Sequence, residues 1–421
     1  MSNSDPATSL TSGDDALAHI FLTPEGLSDP APYYRYMRDH APTHVSEAGA
    51  MFLSRFDDCR EALRDNRLGK SDDVESLLSS GEGAALQVRR EQRERAIQDN
   101  HTHSMLFLNP PHHTRQRALV SRAFTPRRVE ALRASIRTLA NAMVDDFVEA
   151  GGGDLLESVA FPLPVAVIGS MVGVPEQDWP QFRSLITASA AGLEPAASAD
   201  ELRTAGASSA QARSYFEELL AERRARPQDD LMSDLIQVED EGDRLTDGEI
   251  VAVSLLLFAA GFETTTNLIG NGMGALLQHP DEMAKLWNDA AVLPSAVDEV
   301  LRWDSPVQLD GRTALEPTTI AGTPIEVGTR VMTLLGAANR DPAQFADAER
   351  FDVTRDEGPP MSFASGIHYC LGANLARAEG QEVFGALVER CSSIEQAGQL
   401  VRRNRMTLRG YSSVPVTVTP R

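Results

Sequence analysis

Phe363-Ala364-Ser365-Gly366-Ile367-His368-Tyr369-Cys370-Leu371-Gly372 sets one thiol among small residues, with a helix pattern running on from Leu371 to Cys391. A cysteine so placed is presented from a loop. Gly366 and Gly372 can take backbone angles closed to other residues and let a large flat ligand approach the main chain. The free N–H groups and dipole of the following helix are expected to lower the thiol pKa. The competing reading is a small, inert core residue, the usual fate of a lone cysteine.

Working outward, Thr246-Asp247-Gly248-Glu249 is a capping box ahead of an apolar run. The helix it opens is predicted to reach about Leu277, where His279-Pro280 stops it; at 1.5 Å per residue that is roughly 45–50 Å. A helix of that length, apolar on most sides, is central to its domain. Midway it carries Ala260-Gly261-Phe262-Glu263-Thr264-Thr265. A carboxylate beside a hydroxyl is costly in such a place unless used. Thr264 can bond back to the Ala260 carbonyl and Gly261 lacks a side chain, so a local groove is expected there, able to hold a small polar ligand and relay protons. Glu299-Val300-Leu301-Arg302 forms an i, i+3 acid–base pair on one helix face.

The chain has 421 residues, 42% hydrophobic content, a net charge of −22 and three cysteines. That suffices for a large core and argues for a reducing compartment without disulfides. Residues 1–15 are polar and acidic, lack the pattern of a signal peptide, and are expected to be disordered ahead of a single domain over 16–421. The longest apolar run, Val251 to Phe262, is too short to cross a bilayer, so a cytoplasmic protein is expected. The net charge excludes nucleic acid. Between His112 and Arg128 the sign reverses, with Arg115, Arg117, Arg122, Arg127 and Arg128 and no acid; this is either a solvated helix face or a docking patch for an acidic protein. Helices are predicted at Ala31–His40, Phe56–Arg64, from Thr125-Pro126 to the stop at Gly151-Gly152-Gly153, and at Ser295–Trp303. Short β-rich runs fall between Val307 and Leu335 and at Thr407–Val418. The fold class is therefore mainly α with a small β-rich region. His101, His103, His112 and His113 lack a completing ligand for zinc. Gly270-Asn271-Gly272-Met273-Gly274-Ala275 matches a dinucleotide pattern but falls inside a helix, so reducing electrons are expected from another protein.

Completed by Leu375, Ala376, Arg377 and Glu379, the opening stretch reads F-x-x-G-x-H-x-C-x-G-x-x-L-A-R-x-E. This resembles the haem-thiolate loop of the cytochrome P450 family, in a soluble bacterial member of actinobacterial type, and the likeness spans roughly Ala31 to the C-terminus. The resemblance implies an α-rich triangular prism with a β-rich corner and haem b between the long central helix and the helix after the cysteine loop. Cys370 would be the metal ligand. His113, Arg117, Arg312 and His368 match propionate-binding positions, and Phe363, Gly261 and Gly372 other cofactor contacts. Thr264 would steady bound dioxygen and Glu263 feed protons. Glu299 and Arg302 match the family's Glu-x-x-Arg pair, with Arg350 as the second arginine of a buried network bracing the loop.

By the same analogy Leu256, Ala260, Val307, Gln308, Leu309, Tyr411 and Ser412 would line an apolar substrate pocket, together with parts of 70–108 and 168–193. The implied reaction is insertion of one oxygen atom from O2 into a lipid-like, terpenoid, polyketide or other secondary-metabolite substrate by a monomer. A ferredoxin would dock near Arg115, Arg122, Arg127 and Arg128. Peroxide-driven oxidation, ring or C–C coupling, and haem binding without turnover are the alternatives, and the intact Glu263–Thr264 pair favours the O2 route. In Asn109-Pro110-Pro111-His112-His113-Thr114-Arg115, Asn109 and His112 stand where the family carries acids, which removes two negative charges near the docking face.

Overall fold

The computed structural model describes residues 6–70, 84, 87–88, 91–92, 104–194, 196–240 and 242–421. The expected disorder of residues 1–15 is corrected over the described part. Pro6–Ser9 forms a 3-10 turn and a helix runs Gly13–Leu22, capped by the Ser12 hydroxyl, which accepts from the Asp15 N–H. Thr11 also ties itself to the Asp15 carboxylate through N–H and hydroxyl. Acidic residues in a first turn suit the helix dipole, so polarity here marks a helix start. Residues 101 and 103 of the rejected zinc grouping, and most of 71–103, lie outside the described residues.

The central helix runs Asp247–Gln278, with both halves of the capping box formed: the Thr246 hydroxyl accepts from the Glu249 N–H, and the Glu249 carboxylate accepts from the Thr246 N–H. Among the described residues it alone is long and apolar enough to span a membrane, but it is largely wrapped by protein. Helices Pro162–Val172, Ala199–Ala225 and Ala373–Arg390 pack on it. An aromatic cluster fixes its upper half: Phe182, Phe216, Phe258 and Phe262 meet at centroid separations of 4.6–6.1 Å, each such pair adding ~0.5–1.5 kcal/mol beyond burial.

The β-rich part is a five-stranded sheet in the spatial order Thr43–Val45, Met51–Leu53, Arg330–Leu334, Leu309–Ala314, Leu68–Gly69. All its pairings are antiparallel except Met51–Leu53 with Arg330–Leu334. Its faces carry two smaller apolar clusters beside the helical core. The stop after the helix Pro126–Glu149 doubles as a strand. Gly152 has φ 105°, and a Cβ there would lie 2.3 Å from the Val416 carbonyl oxygen. Only glycine lets Gly152–Asp154 pair with Pro415–Thr417.

Candidate functional site

Two short turns shape the cysteine loop, Met361–Phe363 and Gly366–His368, and the Cys370 N–H closes it by donating to the Phe363 carbonyl at 3.0 Å. Gly366 has φ 71°, and a Cβ there would lie 2.2 Å from the Leu63 carbonyl oxygen. Gly372 caps the helix Ala373–Arg390, and a Cβ on it would meet open space. Arg377 holds the loop from below: its guanidinium sits 4.6 Å over the Phe363 ring and donates to Asp298 at 2.7 Å. Arg117 donates to the Tyr369 carbonyl.

Cys370 is open to solvent at its surface, yet protein surrounds it. That enclosure pushes its thiol up, against the Gly372 N–H, Arg117 and Arg377. The expectation that the helix terminus would leave the thiol with a lowered pKa is thus corrected. Burial of a group that charges on losing its proton outweighs the amide and both arginines here.

Ala364 adopts φ 58°, ψ −156°, a region open essentially to glycine alone and worth ~1–3 kcal/mol of strain elsewhere. Glycine returns ~0.4–1 kcal/mol through its freer unfolded chain. Ala364→Gly is therefore expected to stabilise the protein by about 1 kcal/mol, read as a rise in the guanidinium unfolding midpoint; a fall would refute the strain.

Three side chains named from the sequence come together as a cationic cradle. The rings of His113 and His368 lie 4.1 Å apart. Both nitrogens of His113, Nε2 of His368 and Nη2 of Arg312 are buried with no protein partner. Buried polar groups are normally satisfied, so four convergent orphans signal a polar ligand. Burial, aided by Arg117 and Arg312, holds His113 below its usual range. Burial, Arg312 and Lys70 bring His368 down to about 3. Neutral imidazoles beside a guanidinium suit carboxylate oxygens, and this donor set fits the two propionates of a haem above Cys370.

Arg312 is aimed by Asp310, which accepts from its Nη1 at 2.6 Å and is itself held by Lys70. Against burial, which raises it, Arg312 and Lys70 keep the Asp310 carboxyl well below the usual range; burial brings Lys70 down to about 8. From the sequence, Lys70 is expected only at the edge of the substrate pocket and Asp310 has no expected role, although Asp310 two residues before Arg312 on one strand puts both on the same face.

On the central helix, Leu256, Ala260 and Thr264 follow at i, i+4 and i+8. Ala260 is exposed and the other two are half-buried, on a helix otherwise mostly buried. Thr264 Oγ1 donates to the Ala260 carbonyl at 2.7 Å, and Thr265 Oγ1 to Gly261 at 3.0 Å. The helix is unbroken through this point, so the expected groove is corrected to a row of small and hydroxyl side chains. A Cβ on Gly261 would come 3.1 Å from Ile168 Cγ1, so this glycine lets Pro162–Val172 approach. Glu263 is buried and accepts from Arg403 Nη1 at 2.9 Å, with Arg405 at 4.0 Å. Burial pushes its carboxyl up and the two arginines oppose the shift. Glu379 is buried with the Thr265 side chain as its hydrogen-bond partner, and burial pushes it up to about 8.

The Glu-x-x-Arg pair is fully internal. Glu299 receives two bonds from Arg302, at 2.6 and 2.8 Å, and one from the Asp352 N–H at 2.7 Å. Arg302 spends its remaining donors on the carbonyls of Asn339, Ala348 and Arg350. Asn339 accepts from the Met361 N–H at 2.6 Å and donates to Ser362 at 2.9 Å, which carries the brace into the cysteine loop. Arg350 is corrected: its side chain is 55% exposed and only its carbonyl joins. The second arginine is Arg355, 9% exposed, whose Nε donates to Glu299 at 3.1 Å.

Of the expected pocket residues, Val307 is half-buried beside Leu408. Four others are corrected. Gln308 is spent on Tyr34 and the Ser305 carbonyl. Leu309 packs in the cluster of Tyr33, Tyr34 and Met332. Tyr411 lies under Arg402 at 3.7 Å and against Gly274, well along the helix from Thr264. Ser412 is exposed and bonds the Val401 carbonyl. Each of these side chains is thus engaged elsewhere. Part of the expected docking patch is engaged internally: Arg115 is bound by Asp243 and Glu249, and Arg128 by Asp234; Arg122 and Arg127 lie at the exposed surface.

A family model described as Cytochrome P450 matches residues 201–412. The chain is 37% identical over 400 residues to the cytochrome P450 monooxygenase PikC of Streptomyces venezuelae, covering 92% of this chain and 91% of that protein. It is 38% identical over 401 residues to a vitamin D(3) 25-hydroxylase of Pseudonocardia autotrophica, covering 93% and 94%. Among solved structures, P450BioI bound to an acyl carrier protein ligated with hexadec-9Z-enoic acid superposes with a TM-score of 0.84 at 33% identity, covering 94% of this chain and 99% of that one.

Proposed function

Because the chain belongs to the cytochrome P450 family and is a haem-dependent monooxygenase, we propose that it inserts one oxygen atom from O2 into an apolar, lipid- or polyketide-like substrate, with electrons from a ferredoxin and its reductase. The observation that carries this reading is the pairing of a surface-open thiol at Cys370 with the four partnerless nitrogens of His113, His368 and Arg312.

When bound, haem b supplies the oxygen activation, and the balance is RH + O2 + 2e⁻ + 2H⁺ → ROH + H2O. Cys370 would hold its iron, and His113, His368 and Arg312 its carboxylates, with Asp310 and Lys70 fixing the angle of Arg312. Thr264 keeps its hydroxyl proton on the Ala260 carbonyl and presents oxygen lone pairs to the open row. Glu263, raised by burial, retains a proton at higher pH than a solvated carboxylate. Together they form the acid–alcohol pair that an O2-driven reaction needs and a peroxide-driven one does not. Leu256 and Ala260 offer an apolar floor to the substrate. That agrees in kind with a relative named for vitamin D(3) and a neighbour holding a fatty acyl chain. Arg122 and Arg127 are exposed on the proposed ferredoxin face.

The first test is the spectrum of the reduced protein under carbon monoxide. A long-wavelength Soret band is the expected result, and a band at shorter wavelength would mean haem without thiolate. Spin-state shifts on adding sterols, fatty acids and macrolactones would then sort the substrate class. Thr264→Ala and Glu263→Gln are expected to divert electrons to hydrogen peroxide several-fold over wild type, at a rate loss of ~10²–10⁴ for the proton-dependent step. Unchanged coupling would remove the pair from the relay.

A further inference from the structure

The Glu263 carboxylate owes its partners to a strap, residues 403–408, that reaches the central helix from the C-terminal part of the chain. Three consecutive backbone N–H groups of that strap converge on one buried carboxylate, Glu194. Met406 donates at 3.0 Å, Thr407 at 3.1 and 3.2 Å, and Leu408 at 3.3 Å. Glu194 lies in the connection between the helices Trp179–Ser189 and Ala199–Ala225. Two further bonds run the same way: Thr407 Oγ1 donates to the Leu193 carbonyl at 3.0 Å, and Arg405 Nη1 to the Thr187 carbonyl at 3.1 Å. On its other side the strap rests on the sheet region through the Gln308 N–H, which donates to the Thr407 carbonyl at 3.1 Å.

A carboxylate taking three backbone amides is a strong, directional anchor, and a buried carboxylate is retained only where it is so satisfied. We propose that Glu194 is a positioning residue for the proton relay: by clamping the 406–408 backbone it sets where Arg403 and Arg405 meet Glu263. This rests on the reading of Glu263 as the relay acid. The acid then keeps both arginine partners only while Glu194 holds the 406–408 backbone in this place.

The test uses the haem-loaded full chain, reduced by a plant-type ferredoxin and its NADPH reductase, with vitamin D3 as probe. The readout is hydrogen peroxide formed per NADPH consumed, taken with a wild type that couples most of its NADPH to hydroxylated probe. Glu194→Ala is expected to raise that ratio several-fold, as Arg403→Ala does. The double variant is expected to add nothing further, and Glu194→Gln, which keeps one accepting oxygen, to fall between. If Glu194→Ala loses haem, Glu194→Gln decides. A lowered melting temperature with a wild-type peroxide ratio would overturn the proposal. Glu263→Gln in the same assay separates the two readings. No effect there removes the relay itself, whereas an effect there without one at Glu194 removes only the positioning role.

Discussion

Cys370→Ala is expected to give a folded protein that shows no long-wavelength Soret band under carbon monoxide and no measurable oxygenation. The loop does not depend on the thiol for its shape. It is closed by the Cys370 N–H on the Phe363 carbonyl, the Gly366 turn and the Arg377 clamp on Phe363, and alanine keeps all three. What is lost is the thiolate, whose electron donation favours O–O cleavage. Changes in groups that merely support a metal ligand already cost about 10–100-fold, so loss of the ligand itself is expected to exceed that. The cradle of His113, His368 and Arg312 remains, which predicts that the variant still binds haem, with a shorter-wavelength carbon monoxide band. A variant that retained normal turnover would remove Cys370 from the reaction.

Glu299→Ala is expected to be the most damaging substitution away from the cysteine. It strips the buried guanidinium of Arg302 and the nearly buried one of Arg355 of their shared counter-charge. Breaking a buried pair from one side costs ~3–5 kcal/mol, a large fraction of the ~5–15 kcal/mol that holds a domain folded. Because Arg302 reaches Met361 and Ser362 through Asn339, the damage passes into the cysteine loop. Low haem content and a fall in melting temperature are expected together. Arg350→Ala is the control: its side chain is 55% exposed, and exposed pairs are worth ~0–1 kcal/mol. Equal damage from both would mean the network had been assigned to the wrong arginine.

That arginine shows where the sequence stops being readable. The capping box at Thr246, the thiol loop around Cys370 and the Glu299–Arg302 spacing are local patterns, and their geometry follows from a few consecutive residues. Arg350 and Arg355 belong to one irregular segment with no periodicity to say which side chain turns inward, and only the folded loop chooses Arg355. The same holds for Arg403 and Glu194, which meet their partners across long stretches of chain and carry no local signature. Gln308, Leu309 and Tyr411 fail as pocket residues for a different reason. Their place beside the cleft rests on analogy with the family alone, while strand alternation and the Tyr34 hydroxyl send these side chains elsewhere. His113, Arg312 and His368 were nameable one by one. That their nitrogens stand unpaired together became visible only in three dimensions.

The Gly366 turn rests on the Leu63 carbonyl, a contact between segments about 300 residues apart in sequence. Such a seat cannot form on the ribosome until nearly the whole polypeptide has emerged, whereas the helix Phe56–Arg64 is complete early. Assembly of the cofactor cradle is thereby a late event in biogenesis, waiting until Leu63 and Gly366 are both free of the ribosome.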